Sequence, residues 1–147
     1  MGEFHACNLR KGRYSQNGQI YLLTSITAER TPLFSDWRVG RLLVNELRMS
    51  KVDTLAFVIM PDHLHWLCRL EQQNLSAVIQ AVKSRSAIMI NRHRRGAGKV
   101  WQPGFHDHAL RAEEDVLSVA RYVVANPLRA GIVERLGDYP LWDACWL

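Results

Sequence analysis

Two histidines stand one residue apart in Met60-Pro61-Asp62-His63-Leu64-His65-Trp66-Leu67. Apolar residues precede and follow them, so residues 54–60 and 63–70 read as strands joined by a turn at Pro61-Asp62. Strand side chains alternate between faces, which places His63 and His65 on one side and Leu64, Trp66, Cys68 and Leu70 on the other. Two imidazoles side by side on a rigid element are a ready pair of ligands for a divalent cation. Taken alone they also read as histidines that merely alternate with core residues. What the rest of the chain supplies decides between these readings.

A metal held by two histidines needs a further ligand and a reacting group. The segment Ala120-Arg121-Tyr122-Val123-Val124-Ala125-Asn126-Pro127 offers both. On a helix, Tyr122 and Asn126 lie one turn apart on one face. The Asn126 amide oxygen suits a hard cation, and the Tyr122 phenol can attack a polarised phosphorus. Each also has an ordinary reading: amphipathic packing for the tyrosine, helix termination before proline for the asparagine. Asp62 can hold a histidine N–H or a metal-bound water, although its role in the turn is the stronger reading.

The charge pattern points to the partner. The formal net charge is +5 and the pI about 9.4. Between Glu71 and Asp107 there is no acidic residue, while the same segment holds Lys83, Arg85, Arg92, Arg94, Arg95 and Lys99. Arg10, Lys11 and Arg13 form a second cluster. Cations without interleaved acids are the footprint expected for a phosphate backbone. Trp101 and Tyr14 can add stacking to such a surface, with core packing as the ordinary reading of Trp101. His106 and His108 form a second His-x-His, fitted either to contact DNA or to sit buried and hydrogen-bonded.

The elements that must position these groups follow from periodicity. Residues 20–27, rich in β-branched and aromatic side chains, read as a first strand. Ser35 or Asp36 caps a helix running to about Met49, and Asn74 caps a second with apolar residues at helical spacing from Leu75 to Met89. That helix is expected to dissolve into the basic loop 91–98. Residues 105–111 read as a fourth strand, and Glu113, Glu114 and Asp115 load acid at the start of a last helix, expected to reach Asn126. The order strand, helix, strand, strand, helix, strand predicts an α+β, ferredoxin-like β-α-β-β-α-β antiparallel sheet with helices on one face and an additional C-terminal helix carrying the tyrosine. The fold by itself names no function.

The chain has 147 residues, 48% of them hydrophobic, which suits one domain spanning 1–147. Within it, residues 1–18 read as a basic arm and 139–147 as a short aromatic tail packed onto the domain. No apolar run approaches the ~20 residues a membrane helix needs, and no signal peptide is visible. Three widely spaced cysteines argue against a disulfide framework and for a reducing cytosol.

Three segments together carry a resemblance. Met60-Pro61-Asp62-His63-Leu64-His65, then Trp101-Gln102-Pro103-Gly104-Phe105-His106-Asp107-His108, then Arg121-Tyr122-Val123-Val124-Ala125-Asn126-Pro127-Leu128-Arg129-Ala130-Gly131 strongly resemble the REP-associated tyrosine transposases, relatives of the single-tyrosine HUH transposases. The resemblance implies a metal-dependent endonuclease and strand transferase acting on single-stranded DNA with palindromic hairpins. It implies Mg²⁺ or Mn²⁺ held by His63, His65 and Asn126. It implies Tyr122 as the nucleophile that forms a 5′-phosphotyrosine link. Many such relatives carry glutamine where Asn126 stands. The implied protein is bacterial and cytoplasmic, nucleoid-associated when bound to DNA, and a monomer or homodimer. A non-catalytic nucleic-acid-binding module on the same fold is the alternative. A hydrolase using metal-bound water fits less well, because no general base stands beside the histidines.

Overall fold

The hairpin around Pro61-Asp62 forms the middle of the sheet in the computed structural model, which describes residues 18–111 and 114–145. Strand β1 (Gln19–Ile26), helix α1 (Trp37–Met49), strands β2 (Asp53–Met60) and β3 (His63–Leu70), helix α2 (Leu75–Arg94) and strand β4 (His106–Ala109) follow in the expected order. The sheet order is β4-β1-β3-β2-β5, and every pairing is antiparallel. The first four strands give the ferredoxin-like arrangement. The fifth, β5 (Trp142–Ala144), comes from the aromatic tail and pairs with the edge of β2. Tyr139 and Leu141 are buried beside it, and the Tyr139 hydroxyl donates to the Ile59 carbonyl.

Local chemistry explains the helix boundaries. Asp36 accepts from the Arg38 N–H at the start of α1, and Asn74 accepts from the Ala77 N–H at the start of α2. Helix α2 runs further than the sequence suggests, through Asn91, Arg92 and His93 to Arg94. Nothing before Gly96 breaks it, and cations are favoured in a last turn. Arg95 then ends it in a left-handed conformation (φ 53°). The last helix is shorter than expected. Asp115 caps α3 (Val116–Val124), accepting from the Leu117 N–H and the Ser118 hydroxyl. The chain then bends at Ala125 (ψ 0°) into the short helix α4 (Asn126–Arg129), because Pro127 cannot continue the ladder and sits at its start.

The two faces of the sheet are covered differently. Leu23, Phe57, Leu64, Trp66, Cys68 and Leu70 pack against Val39, Leu43 and Leu47 of α1 and Ile79, Val82 and Ile90 of α2. The Trp66 indole N–H is satisfied by Thr54 Oγ1 at 2.9 Å. On the opposite face, Ile20, Leu67 and Ala144 pack against Val116, Ala120 and Val124 of α3. Helices α1 and α2 thus share one face as expected, and the additional helix covers the other. By strand alternation, that other face is the one that carries His63 and His65. Among the described residues, no helix is long and apolar enough to cross a membrane.

Candidate active site

Register brings the first pair together. His63 and His65 face the same side of β3, with ring centroids 4.8 Å apart and planes 80° apart. Across the sheet, His65 pairs with Thr24 of β1 and Val58 of β2, while His63 pairs with Ile26 and Met60. Both rings are held by their Nδ1 atoms. His63 Nδ1 donates to the Asp62 carboxylate at 2.7 Å, and His65 Nδ1 shares a 2.8 Å hydrogen bond with Thr24 Oγ1. Asp62 is itself fixed by Arg30, at 3.1 Å. Asp62 therefore fills its turn and also orients a histidine. Because the Asp62 carboxylate is an acceptor, the hydrogen bond puts a proton on His63 Nδ1 and turns Nε2 away from Asp62.

Electrostatics keep His65 uncharged. Its pKa is lowered to about 4, first by burial, then by His63 and then by the Arg129 guanidinium. A neutral imidazole is the form that can ligate. Asp62 is held below the ordinary carboxylate range despite its partial burial, by hydrogen bonds and charge from His63 and Arg30. On the far side of the strand, burial pushes the Cys68 thiol up to about 12, which leaves it a core side chain and not a nucleophile.

The tyrosine arrives from the helix that covers this face. Helix α3 seats Ala120 and Val124 against Leu67, two residues beyond His65 on the same side of β3. Tyr122 stands on the outer side of α3, 62% exposed. The Arg129 guanidinium carbon lies 3.6 Å from the centre of the Tyr122 ring. The charge of the same guanidinium also acts on His65. Asn126 lies just beyond α3, not within it. Its amide Nδ2 donates to the Val123 carbonyl at 2.9 Å, which orients the side chain and leaves Oδ1 as the end suited to a ligand.

This donor set fits a hard divalent cation. It comprises two imidazoles steered by Nδ1 partners and one amide oxygen on the adjoining helical turn. Among the described residues no group of three or more His, Cys, Asp and Glu side chains is placed to hold a metal.

The remaining candidates separate. Lys83 donates to the Gln102 and Gly104 carbonyls at 2.7 and 2.5 Å, and burial lowers its pKa. It ties down the loop before β4. Arg85 lines a groove between α1 and α2, on the face away from the histidines. Arg94 and Lys99 line a cavity of about 300 Å³ beside the turn Ala28–Arg30, whose Arg30 reaches Asp62. Arg92 and Arg95 are exposed in the last turn of α2 and its cap. Arg10, Lys11, Arg13 and Tyr14 lie outside the described residues. Trp101 is buried: it packs on Phe34 and donates to Ser86 Oγ at 3.0 Å, so it belongs to the core and is not a stacking surface.

His106 and His108 are exposed, contrary to the buried reading, and sit on the face that carries the histidine pair. His108 Nε2 lies 3.1 Å from both Glu114 oxygens and links β4 to the start of α3. Sequence reasoning missed Thr24 and Arg129. Thr24 is a polar residue directly across from His65, visible only once the register is known. Arg129 lies seven residues after Tyr122, a two-turn spacing that flags a shared face.

The chain is similar to known proteins along most of its length. A family model described as "Transposase IS200 like" matches residues 15–126. The chain belongs to the IS200-like transposase family. The group within it that the chain matches is the REP-associated tyrosine transposases. The Escherichia coli K12 REP-associated tyrosine transposase is 29% identical over 131 residues, covering 86% of this chain and 76% of the relative. A Haemophilus influenzae protein assigned to the same group is 26% identical over 143 residues, covering 84% and 78%. Among solved structures, a REP-associated tyrosine transposase bound to a REP hairpin superposes with a TM-score of 0.68 at 25% identity, covering 88% of this chain and 79% of that one.

Proposed function

We propose that this IS200-like transposase family member cleaves and rejoins single-stranded DNA next to palindromic hairpins of the REP type, through a covalent bond to Tyr122. The observation that carries the reading is the oriented pair His63 and His65 on the sheet face covered by α3, the helix that bears Tyr122 under Arg129 and leads into Asn126. The hairpin-bound structure of a similar protein supports the choice of DNA.

His63, His65 and Asn126 would hold Mg²⁺ or Mn²⁺. When bound, that cation supplies Lewis-acid neutralisation of the scissile phosphate, and its neutral ligands leave most of its charge for that task. Asp62 and Thr24 keep the two rings in the ligating orientation. The Tyr122 hydroxyl oxygen attacks phosphorus and loses its proton. The bond from phosphorus to the 3′ oxygen breaks, and that oxygen takes up a proton. The products are a 5′-phosphotyrosine and a free 3′-OH. The phosphodiester energy stays in the protein link, so a 3′-OH can later displace Tyr122 and reseal the strand. Arg92, Arg94, Arg95 and Lys99 would track backbone phosphates, with Arg10, Lys11 and Arg13.

Incubating the protein with single-stranded hairpin DNA from the flanks of its own gene tests this, with Mn²⁺ or with EDTA. Cleavage in Mn²⁺ alone is expected, with the 3′ fragment of the strand retained by protein through phenol extraction. Tight binding with no cleavage in any divalent metal would favour the binding-module reading.

A further inference from the structure

Arg129 is set apart from the other ordered arginines near the sheet. Arg30 pairs with Asp62 and Arg69 with Asp53, at 3.1 and 2.7 Å. Among the described residues no carboxylate pairs with Arg129. It is exposed, yet it sits over one ring, with its guanidinium carbon 3.6 Å from the centroid of Tyr122. Its position is built by the backbone. The Ala125 carbonyl accepts from the N–H groups of Leu128 and Arg129, both at 3.0 Å, and the Asn126 carbonyl accepts from Ala130 at 2.9 Å. Buried Pro127 anchors the turn. In one straight helix, residues seven apart would be separated by about 10 Å along the axis. The break at Ala125 is what separates α4 from the line of α3.

We propose that Arg129 is a phosphate-binding residue, which holds the Tyr122 ring with its face and takes the scissile phosphate with its edge. This rests on the proposed tyrosine chemistry. Stacking uses the face of the guanidinium, while its five N–H groups point outward in the plane, matched to two phosphate oxygens. Attack by the phenol adds negative charge to the non-bridging oxygens, and His63, His65 and Asn126 bring none of the positive charge to meet it. Arg129 brings a permanent one, 3.6 Å from the ring of the attacking tyrosine. An exposed tyrosine on a helix has several rotamers open to it, so a planar cation against its ring also narrows where the hydroxyl can go.

The test uses Arg129→Gln and Arg129→Lys with two readouts, after melting curves show that both fold. The first is the single-turnover rate of covalent adduct formation at saturating DNA in Mn²⁺. Arg129→Gln should slow it about 10- to 100-fold, the range for losing a charge-assisted hydrogen bond, and Arg129→Lys should recover part of that loss. The second is binding affinity in EDTA, with a single neutral methylphosphonate walked along the unpaired strand. One position should weaken binding by the wild-type protein several-fold and leave Arg129→Gln unaffected. The inference is overturned if Arg129→Gln forms adduct at the wild-type rate, or if every methylphosphonate weakens it by the wild-type factor. If the wild-type protein forms no adduct, the tyrosine chemistry fails, and the binding arm still decides on Arg129.

Discussion

The two faces of the sheet are built from the same strands and do opposite work. Under α1 and α2, the alternate residues Leu64, Trp66, Cys68 and Leu70 are all but sealed from water, and the one polar atom of Trp66 has its partner in Thr54. Under α3 the intervening residues are His63, His65, Leu67 and Arg69, and apolar packing centres on Leu67. Helix α3 caps that part and leaves the histidine end lined by polar groups. The period of two along β3 therefore separates the core side chains from the proposed site. A side chain on the first face is held by burial. On the second face the histidines are held by directed hydrogen bonds to Asp62 and Thr24.

Substitutions can break or sharpen that contrast. The largest expected effect is on the site face: Tyr122→Phe should abolish covalent adduct formation while leaving the melting temperature within a few degrees of wild type, because Tyr122 is exposed. On the core face, Leu43→Ala should cost about 2–5 kcal/mol of unfolding free energy by urea titration, with the cleavage pattern of the remaining folded protein unchanged. Thr24→Val keeps the shape but removes the Nδ1 partner of His65. Mn²⁺ affinity by calorimetry should fall about 10- to 100-fold, with little change in stability.

The smallest effect concerns the strap between β4 and α3. Glu114 is held below the ordinary carboxylate range by the Arg111 N–H first, then by His108. Its folded pKa is depressed, so its stabilising contribution is full above the unfolded value near 4.5 and fades as pH falls through the folded one. The melting temperatures of wild type and Glu114→Gln should differ slightly at pH 6 and converge in acid. A gap that widens on acidification would mean that the strap works in some other way.

Most of the fold could be read from local signals. The strand and helix order, the caps at Asp36 and Asn74, and the alternation of His63 and His65 all rest on short-range chemistry, and each is present in the structure. Long-range packing was harder to read. That α3 covers the histidine face, and that the tail becomes β5, depend on which surfaces remain unburied after the first six elements have formed. The break between α3 and α4 was half visible: Pro127 announced an end, but the bend at Ala125 moved Asn126 out of the tyrosine helix. Trp101 misled because an aromatic residue in a basic segment looks the same whether it faces DNA or Phe34. Lys83 misled similarly, since its charge gives no hint that the Gln102 and Gly104 carbonyls will claim it.

The account stands on Tyr122 as the group that becomes bonded to DNA. The direct measurement is peptide mass spectrometry of the protein after incubation with hairpin-flanked single-stranded DNA and Mn²⁺, followed by nuclease digestion. The account predicts a nucleotide-phosphate remnant on the peptide containing Tyr122, localised to that residue, absent with EDTA and absent from Tyr122→Phe. A remnant on another residue, or cleaved DNA with unmodified Tyr122 and equal cleavage by Tyr122→Phe, would contradict it.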